Sequence, residues 1–248
     1  MEIDSVLWPA PREAPRLNTG EVHVWCGAVD SEASRLESLL QLLSADEREK
    51  VGLFRFQKPR EEFIVARGLL RIILGRCLDA NPAELRFQVG PHGKPSLALG
   101  SGHDALCFNV AHSGGLILFA VSPHCEVGVD VERVCSNLAV EELASRFFSP
   151  RENATLLALP EKRRREGFFA CWTRKEAFLK AQGDGLSQAL DSFDVSLVPG
   201  EPAALLASRS AAHDIEHWSI QELPSIPGYA GAVAAEGLDW ELRCWRQQ

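Results

Sequence analysis

Two acidic residues, Asp130 and Glu132, fall within Glu126-Val127-Gly128-Val129-Asp130-Val131-Glu132, where apolar residues recur at every second position. That period is a strand's. Val127, Val129 and Val131 then face a core, while Gly128, Asp130 and Glu132 share the other face, with the two carboxylates roughly 7 Å apart between Cα atoms. Like charges so placed repel unless a cation lies between them. The pair is read either as a solvated strand face, the commoner fate of such spacing, or as an all-oxygen site for Mg²⁺, with Mn²⁺ the alternative. Mg²⁺ typically takes one or two carboxylates and fills its shell with water and substrate phosphate oxygens.

A second candidate group lies in Trp172-Thr173-Arg174-Lys175-Glu176-Ala177-Phe178-Leu179-Lys180, where Trp172, Glu176 and Lys180 recur four apart and share one helical stripe. Alone, this is an exposed Glu-to-Lys pair worth roughly 0.3–0.5 kcal/mol. The stripe continues back to Phe168, however, placing acid and base over apolar surface. There Glu176 could serve as a third carboxylate and Lys180 could neutralise a departing phosphate. His112, among the small residues of Asn109-Val110-Ala111-His112-Ser113-Gly114-Gly115, is either a structural hydrogen-bonder or a phosphate contact in a loop that lets an anion approach. Lys94, on the stiff turn Gly93-Lys94-Pro95, is a surface lysine or a phosphate contact ordered at low cost. Lys50 and Arg67 could add positive charge.

The elements that must hold these groups occur twice. Ser44-Ala45-Asp46-Glu47 and Ser149-Pro150-Arg151-Glu152 both read as capping boxes, each followed at similar distance by a helix, at Phe63 and at Phe168. Strand-like Leu85 to Val89 matches Phe193 to Leu197, and Leu116 to Val121 matches Tyr229 to Ala235. This order predicts an α/β (α+β) protein made of a pseudo-twofold pair of similar subdomains, residues 1–123 and 124–248, with the active site in the cleft between them. Chemistry is expected where the halves differ. Residues 1–20, with Pro9, Pro11, Pro15 and Gly20 and no sustained period, read as a leader lying on the surface or as a short edge element.

Composition narrows the function further. The chain has 248 residues, 46% hydrophobic and 24% charged, enough for a sizeable core. Its net charge of −8 gives no general attraction to nucleic acid or anionic lipid, so neither is expected as a partner. Met1 to Asp4 lacks the basic and apolar regions of a secretory signal, and no apolar run approaches the roughly 20 residues of a membrane span. Seven cysteines without a Cys-x-x-Cys pair read as reduced thiols in a cytoplasm. No Walker loop, dinucleotide glycine fingerprint or Ser-His-Asp arrangement appears.

Gly93-Lys94-Pro95, Phe108-Asn109-x-x-His112-Ser113, Gly128-Val129-Asp130-Val131-Glu132, Phe147-Phe148-Ser149 and Trp172-Thr173-Arg174-Lys175-Glu176-x-Phe178-x-Lys180 together resemble the Sfp-type 4′-phosphopantetheinyl transferases, in order and spacing from about Ser44 to Phe193. The resemblance implies transfer of the phosphopantetheine arm of coenzyme A to a serine of an apo acyl or peptidyl carrier protein, releasing adenosine 3′,5′-bisphosphate, with a need for Mg²⁺; the duplication within one chain makes a monomer sufficient to build the site. It further implies that Asp130, Glu132 and Glu176 hold the ion. By the same likeness His112 meets a phosphate, and Lys50, Arg67 and Lys94 bind the nucleotide end. Glu176, directly or through a metal-bound water, takes the serine proton, and Lys180 stabilises or protonates the leaving phosphate. Where the family commonly has serine before the histidine, this chain has Ala111, which predicts one phosphate hydrogen bond fewer. Glu152 is explained by its capping box. The alternatives are a non-catalytic coenzyme A or carrier-binding protein and a metal-dependent phosphohydrolase.

Overall fold

The computed structural model describes residues 3–247 apart from 12, 14, 91–92, 99–105, 184–188 and 210–214. Its first half runs β1 (Glu21–Ala28), α1 (Leu36–Leu42), α2 (Ala45–Leu53), α3 (Gln57–Leu78), β2 (Phe87–Val89), β3 (Pro95–Leu97), β4 (Leu106–Ser113) and β5 (Leu116–Pro123). The second runs β6 (Val127–Arg133), α4 (Val140–Phe147), α5 (Pro150–Ala158), α6 (Glu161–Gln182), β7 (Phe193–Val195), β8 (Leu205–Ser208), β9 (Trp218–Glu222) and β10 (Tyr229–Glu236), and β11 (Glu241–Arg246) closes the chain. The expected duplication is visible in the sheets: β5 lies between β1 and β4, and β10 lies between β6 and β9.

Three apolar layers build the molecule. One fills the space between the sheets, from Val22, Val24 and Leu118 on one side to Val127, Val129, Val131 and Val233 on the other. The others pack α1 and α3 on the outer face of the first sheet, and α4, α5 and α6 on that of the second. The period-two pattern of residues 126–132 therefore sorts as anticipated: the valines enter the middle layer, and Gly128, Asp130 and Glu132 face α6. α6 begins at Glu161, about two turns before the apolar stripe that signals it, because the charged run Glu161 to Glu166 stays helical with no core to face.

Both capping boxes form, and each becomes the root of a buried ion pair. In the first half Glu47 accepts the Ser44 backbone N–H at 3.0 Å and the Arg67 and Arg71 guanidiniums, each at 2.8 Å. Arg71 also donates to the carbonyls of Pro82 and Leu85. In the second half Glu152 accepts from Ser149 N–H at 2.9 Å and from Val195 N–H and Lys175 at 2.8 Å, and Lys175 donates to the carbonyls of Leu190 and Phe193. Arg71 and Lys175 are each the fifteenth residue of a 22-residue helix. The repeat thus preserves a polar joint between its capped helix, its long helix and the segment that follows.

Burial pushes the Glu47 carboxyl up, but the Ser44 N–H, Arg67 and Arg71 outweigh it and hold its pKa below the usual 4.5. A depressed folded value means that the stability it contributes is present above pH 4.5 and is lost as pH falls through the folded pKa. Thermal unfolding below that pH should show a falling Tm whose slope is reduced in Glu47→Gln. An unchanged slope would place the acid sensitivity elsewhere.

Two features depart from the sequence reading. The leader is anchored in the core by Ile3 and Trp8: Trp8 is fully buried in the layer between the sheets and its indole N–H reaches the Pro224 carbonyl at 3.3 Å. A large aromatic among prolines carries no periodic signal, and only the tertiary fold supplies its pocket. β11 also returns to the first sheet and pairs with β1 in parallel, from Glu21 opposite Glu241 to Cys26 opposite Arg246. The turn between β5 and β6, where His124 adopts φ 62°, marks the junction of the repeats, but the chain's last strand crosses back over it.

Candidate active site

β6 is the edge strand of the second sheet and β4 the edge strand of the first, and the two edges meet. Two side chains of β4 bind the β6 backbone there: Asn109 Oδ1 accepts from Val129 N–H at 3.0 Å, and Ser113 Oγ accepts from Arg133 N–H at 3.1 Å. α6 lies over the other face of β6, and Gly128 permits this. A Cβ built on Gly128 would stand 2.1 Å from the Ala177 carbonyl oxygen and 2.2 Å from Ala181 N. With the backbones so close, residues of one element reach those of the other over short distances.

Lys180 Nζ lies 2.5 Å from Asp130 Oδ1. The Asp130 Oδ2 atom is buried and has no hydrogen-bond partner among the described residues. Burial drives the Asp130 carboxyl up to a pKa of about 7; Lys180 opposes the shift, while Glu132 and Glu176 add to it. Glu176 is raised too, by burial first, with Lys180 opposing and Glu132 reinforcing. Ser113 Oγ donates to Glu132 Oε2 at 2.8 Å. The three carboxylates and Lys180 therefore form one electrostatic group, contributed by β6 and α6 and touched by β4. Among the described residues no three His, Cys, Asp or Glu side chains are gathered tightly enough to hold an ion as they stand. The Lys180 ammonium is the counter-charge that reaches Asp130.

The halves differ in their acids. The helix positions of α3 that correspond to Glu176 and Lys180 hold Ile72 and Arg76, and the strand β1 that corresponds to β6 carries no acidic pair.

The other sequence candidates are not part of this group. Lys50 is exposed, its ammonium 5.1 Å from the Phe63 ring centre, and Arg67 is half-buried between Glu47 and the Phe87 ring, 4.7 Å from its centre. His112 is exposed and lies in β4, not in a loop, on the strand face it shares with Phe108 and Val110. Ala111 points the other way and is buried in the layer between the sheets. Strand alternation makes the phosphate bond anticipated for a serine there untenable: a hydroxyl at 111 would face the core, away from anything bound beside His112.

Lys94 is a clamp between the halves, donating to Glu126 at 2.6 Å and to the Ala181 carbonyl, one of the last of α6, at 2.8 Å. Lys94→Met should lower Tm in the absence of any ligand by the equivalent of about 1 kcal/mol. A Tm equal to that of the unaltered chain would return Lys94 to a purely ligand-binding part.

The basic run Lys162 to Arg165 is mostly bracing. Arg164 pairs with Glu141 at 2.6 Å, Arg165 donates to the Cys135 and Leu138 carbonyls, and Arg163 meets Glu166 at 3.3 Å, while Lys162 is exposed. Sequence reasoning missed Ser113 as a site residue, although its place beside His112 in a quoted motif was a signal.

A duplicated α/β fold with an acid–lysine cluster in one repeat, where the edges of both sheets meet, defines a class of enzyme built from two unequal copies of one unit. Residues 126–234 match the 4′-phosphopantetheinyl transferase superfamily, and residues 30–124 match its N-terminal family, 4′-phosphopantetheinyl transferase, N-terminal. The chain is 37% identical over 229 residues to the 4′-phosphopantetheinyl transferase HetI of Nostoc sp. (strain PCC 7120), covering 92% of this chain and 93% of the relative. It is 30% identical over 206 residues to the 4′-phosphopantetheinyl transferase Sfp of Bacillus subtilis (strain 168), covering 82% and 87%. The chain belongs to the 4′-phosphopantetheinyl transferase superfamily. It is accordingly a transferase with an α/β fold, and no helix among its described residues is long and apolar enough to cross a membrane.

Proposed function

We propose that this chain moves the 4′-phosphopantetheine arm of coenzyme A onto a serine of an apo carrier protein, with Asp130, Glu132 and Glu176 as ligands of Mg²⁺ or Mn²⁺ and Glu176 and Lys180 at the reacting atoms. The observation that carries it is Asp130: a buried carboxylate oxygen without a partner, beside two further carboxylates, is an all-oxygen donor set short of positive charge. When bound there, a divalent ion supplies charge neutralisation and alignment of the pyrophosphate.

The carrier serine oxygen forms a bond to the phosphorus that carries pantetheine, and the bond from that phosphorus to the bridging oxygen breaks. Glu176, one turn before Lys180 on α6 and beside the acidic strand β6, accepts the hydroxyl proton. Lys180, half-buried and already oriented by Asp130, neutralises or protonates the phosphate that departs as adenosine 3′,5′-bisphosphate. The first half, with exposed Lys50 and His112 and half-buried Arg67, provides positive and hydrogen-bonding groups for the nucleotide end. We read residues 1–123 as this nucleotide-contacting half and 124–248 as the half that carries the reaction, in a cytoplasmic monomer.

The test combines purified chain, coenzyme A, Mg²⁺ and apo carriers of acyl and peptidyl type, and weighs each carrier by mass spectrometry. One of them should gain the phosphopantetheine mass, and Asp130→Ala and Glu176→Ala should remain folded and fail to transfer it. If nucleotide is released at full rate without a carrier, the chain is a phosphohydrolase and the reading is wrong. Carrier docking is tested at the one exposed lysine of the bracing run. Carrier proteins are usually acidic, so Lys162→Glu should raise KM for the carrier by roughly three- to tenfold and leave KM for coenzyme A unchanged. Unaltered carrier kinetics would remove this surface from the interface.

A further inference from the structure

Resting on the reading of Glu132 as a metal ligand, we propose that Ser113 is a positioning residue that holds one carboxylate oxygen of Glu132 and thereby presents the other to the ion. Ser113 ends β4 in the first half and Glu132 lies near the end of β6 in the second, so the contact spans the junction of the repeats. The Ser113 hydroxyl accepts from Arg133 N–H at 3.1 Å and donates to Glu132 Oε2 at 2.8 Å. A serine hydroxyl has one proton. With its acceptor side taken by the strand backbone, that proton is directed at the carboxylate.

The geometry around it is rigid. Tyr229 OH donates to the Gly114 carbonyl at 2.8 Å and ties the β4–β5 turn to β10. Gly114 has φ 56°, and a Cβ there would stand 2.6 Å from Arg133 Cδ, so the turn sits tightly on β6. Asn109, two rungs back on the same face of β4, holds Val129 N–H. Asn109 and Ser113 thus fix β6 on either side of Asp130.

Glu132 needs this restraint. It is half-buried and neighbours two other carboxylates, so an unrestrained side chain would turn to solvent. Hydrogen bonds to ligating groups of this kind are typically worth 10–100-fold in metal affinity.

The experiment measures Mn²⁺ binding to the full chain by the electron paramagnetic resonance signal of free Mn²⁺, with coenzyme A present and no carrier. Ser113→Ala should weaken binding about tenfold, and Ser113→Thr, which keeps the hydroxyl, should stay within about threefold of the unaltered chain. Tyr229→Phe, which loosens the same turn without touching Glu132, should lower Tm and bind Mn²⁺ normally. Normal binding by Ser113→Ala while Glu132→Gln is impaired overturns the role of Ser113 alone, as does an equal loss in Tyr229→Phe. Normal binding by Glu132→Gln, or none by the unaltered chain, overturns the ligand assignment and this inference with it.

Discussion

Replacing Gly128 by alanine is expected to destabilise the protein by about 3 kcal/mol or more and to cut transfer by whatever fraction remains folded at least 100-fold. The added methyl would stand 2.1 Å from the Ala177 carbonyl oxygen, 2.2 Å from Ala181 N and 2.8 Å from Ala181 Cα. All three are backbone atoms of α6. They cannot turn aside as a side chain does, because the helix is held by buried Cys171, Ala177, Phe178 and Ala181 and by the Lys175–Glu152 pair. The helix must therefore move away from β6 by about an ångström. The same pair of elements carries Asp130 and Glu132 on one side and Glu176 and Lys180 on the other, so relief of the clash separates the groups proposed to react. Thermal melts and the carrier-loading assay check both parts. Gly52→Ala is the control: it lies in α2 with nothing within 4 Å of its Cβ, and it should be neutral or slightly stabilising. Wild-type melting and rate in Gly128→Ala would mean that α6 does not rest on β6 as described.

Asp130→Asn should move stability and activity in opposite directions. Asparagine has nearly the shape of aspartate and can still accept the Lys180 bond, but it carries no charge. In the protein without divalent ions, the native carboxylate is buried, half unpaired and close to Glu132 and Glu176. The shift of Asp130 to about 7 already counts the attraction of Lys180, so its charge is net unfavourable in the folded state, and removing it in chelating buffer should raise stability by about 1–2 kcal/mol, a Tm gain of a few degrees for a chain of this size. Transfer should fall about 100- to 1,000-fold, the usual cost of losing one charge-stabilising group from an active site. Mg²⁺ should raise the Tm of the native protein more than that of the variant. A variant that melts lower and transfers normally would show that Asp130 is a structural carboxylate paired with Lys180 and no more.

Both variants rest on features of unequal visibility. The two faces of β6 were legible because period-two alternation is a local property: Val127, Val129 and Val131 enter the core as the pattern requires. The capping boxes were equally legible, since Ser44 with Glu47 and Ser149 with Glu152 make their bonds within three residues. That Glu47 and Glu152 would each be claimed by a helix cation more than twenty residues away was not, because such a pair depends on how helices pack. Lys94 gave a signal of exposure on a stiff turn, yet its partners Glu126 and Ala181 come from the other half. Trp8 gave no signal at all.

By itself the sequence determined the repeat, its strands and helices and the kinship of the chain, and it pointed to Asp130, Glu132, Glu176 and Lys180 as the residues to propose for the site, because side-chain periodicity, capping and motif spacing are written along the backbone. The tertiary structure alone decided that β11 joins the first sheet, that Ala111 faces the core, that Ser113 reaches Glu132, and that Lys180 stands against Asp130. Those are meetings between residues from 19 to over 200 positions apart. They follow from how closely two sheet edges and one helix approach one another, and the missing side chain of Gly128 permits the close approach of the helix to β6.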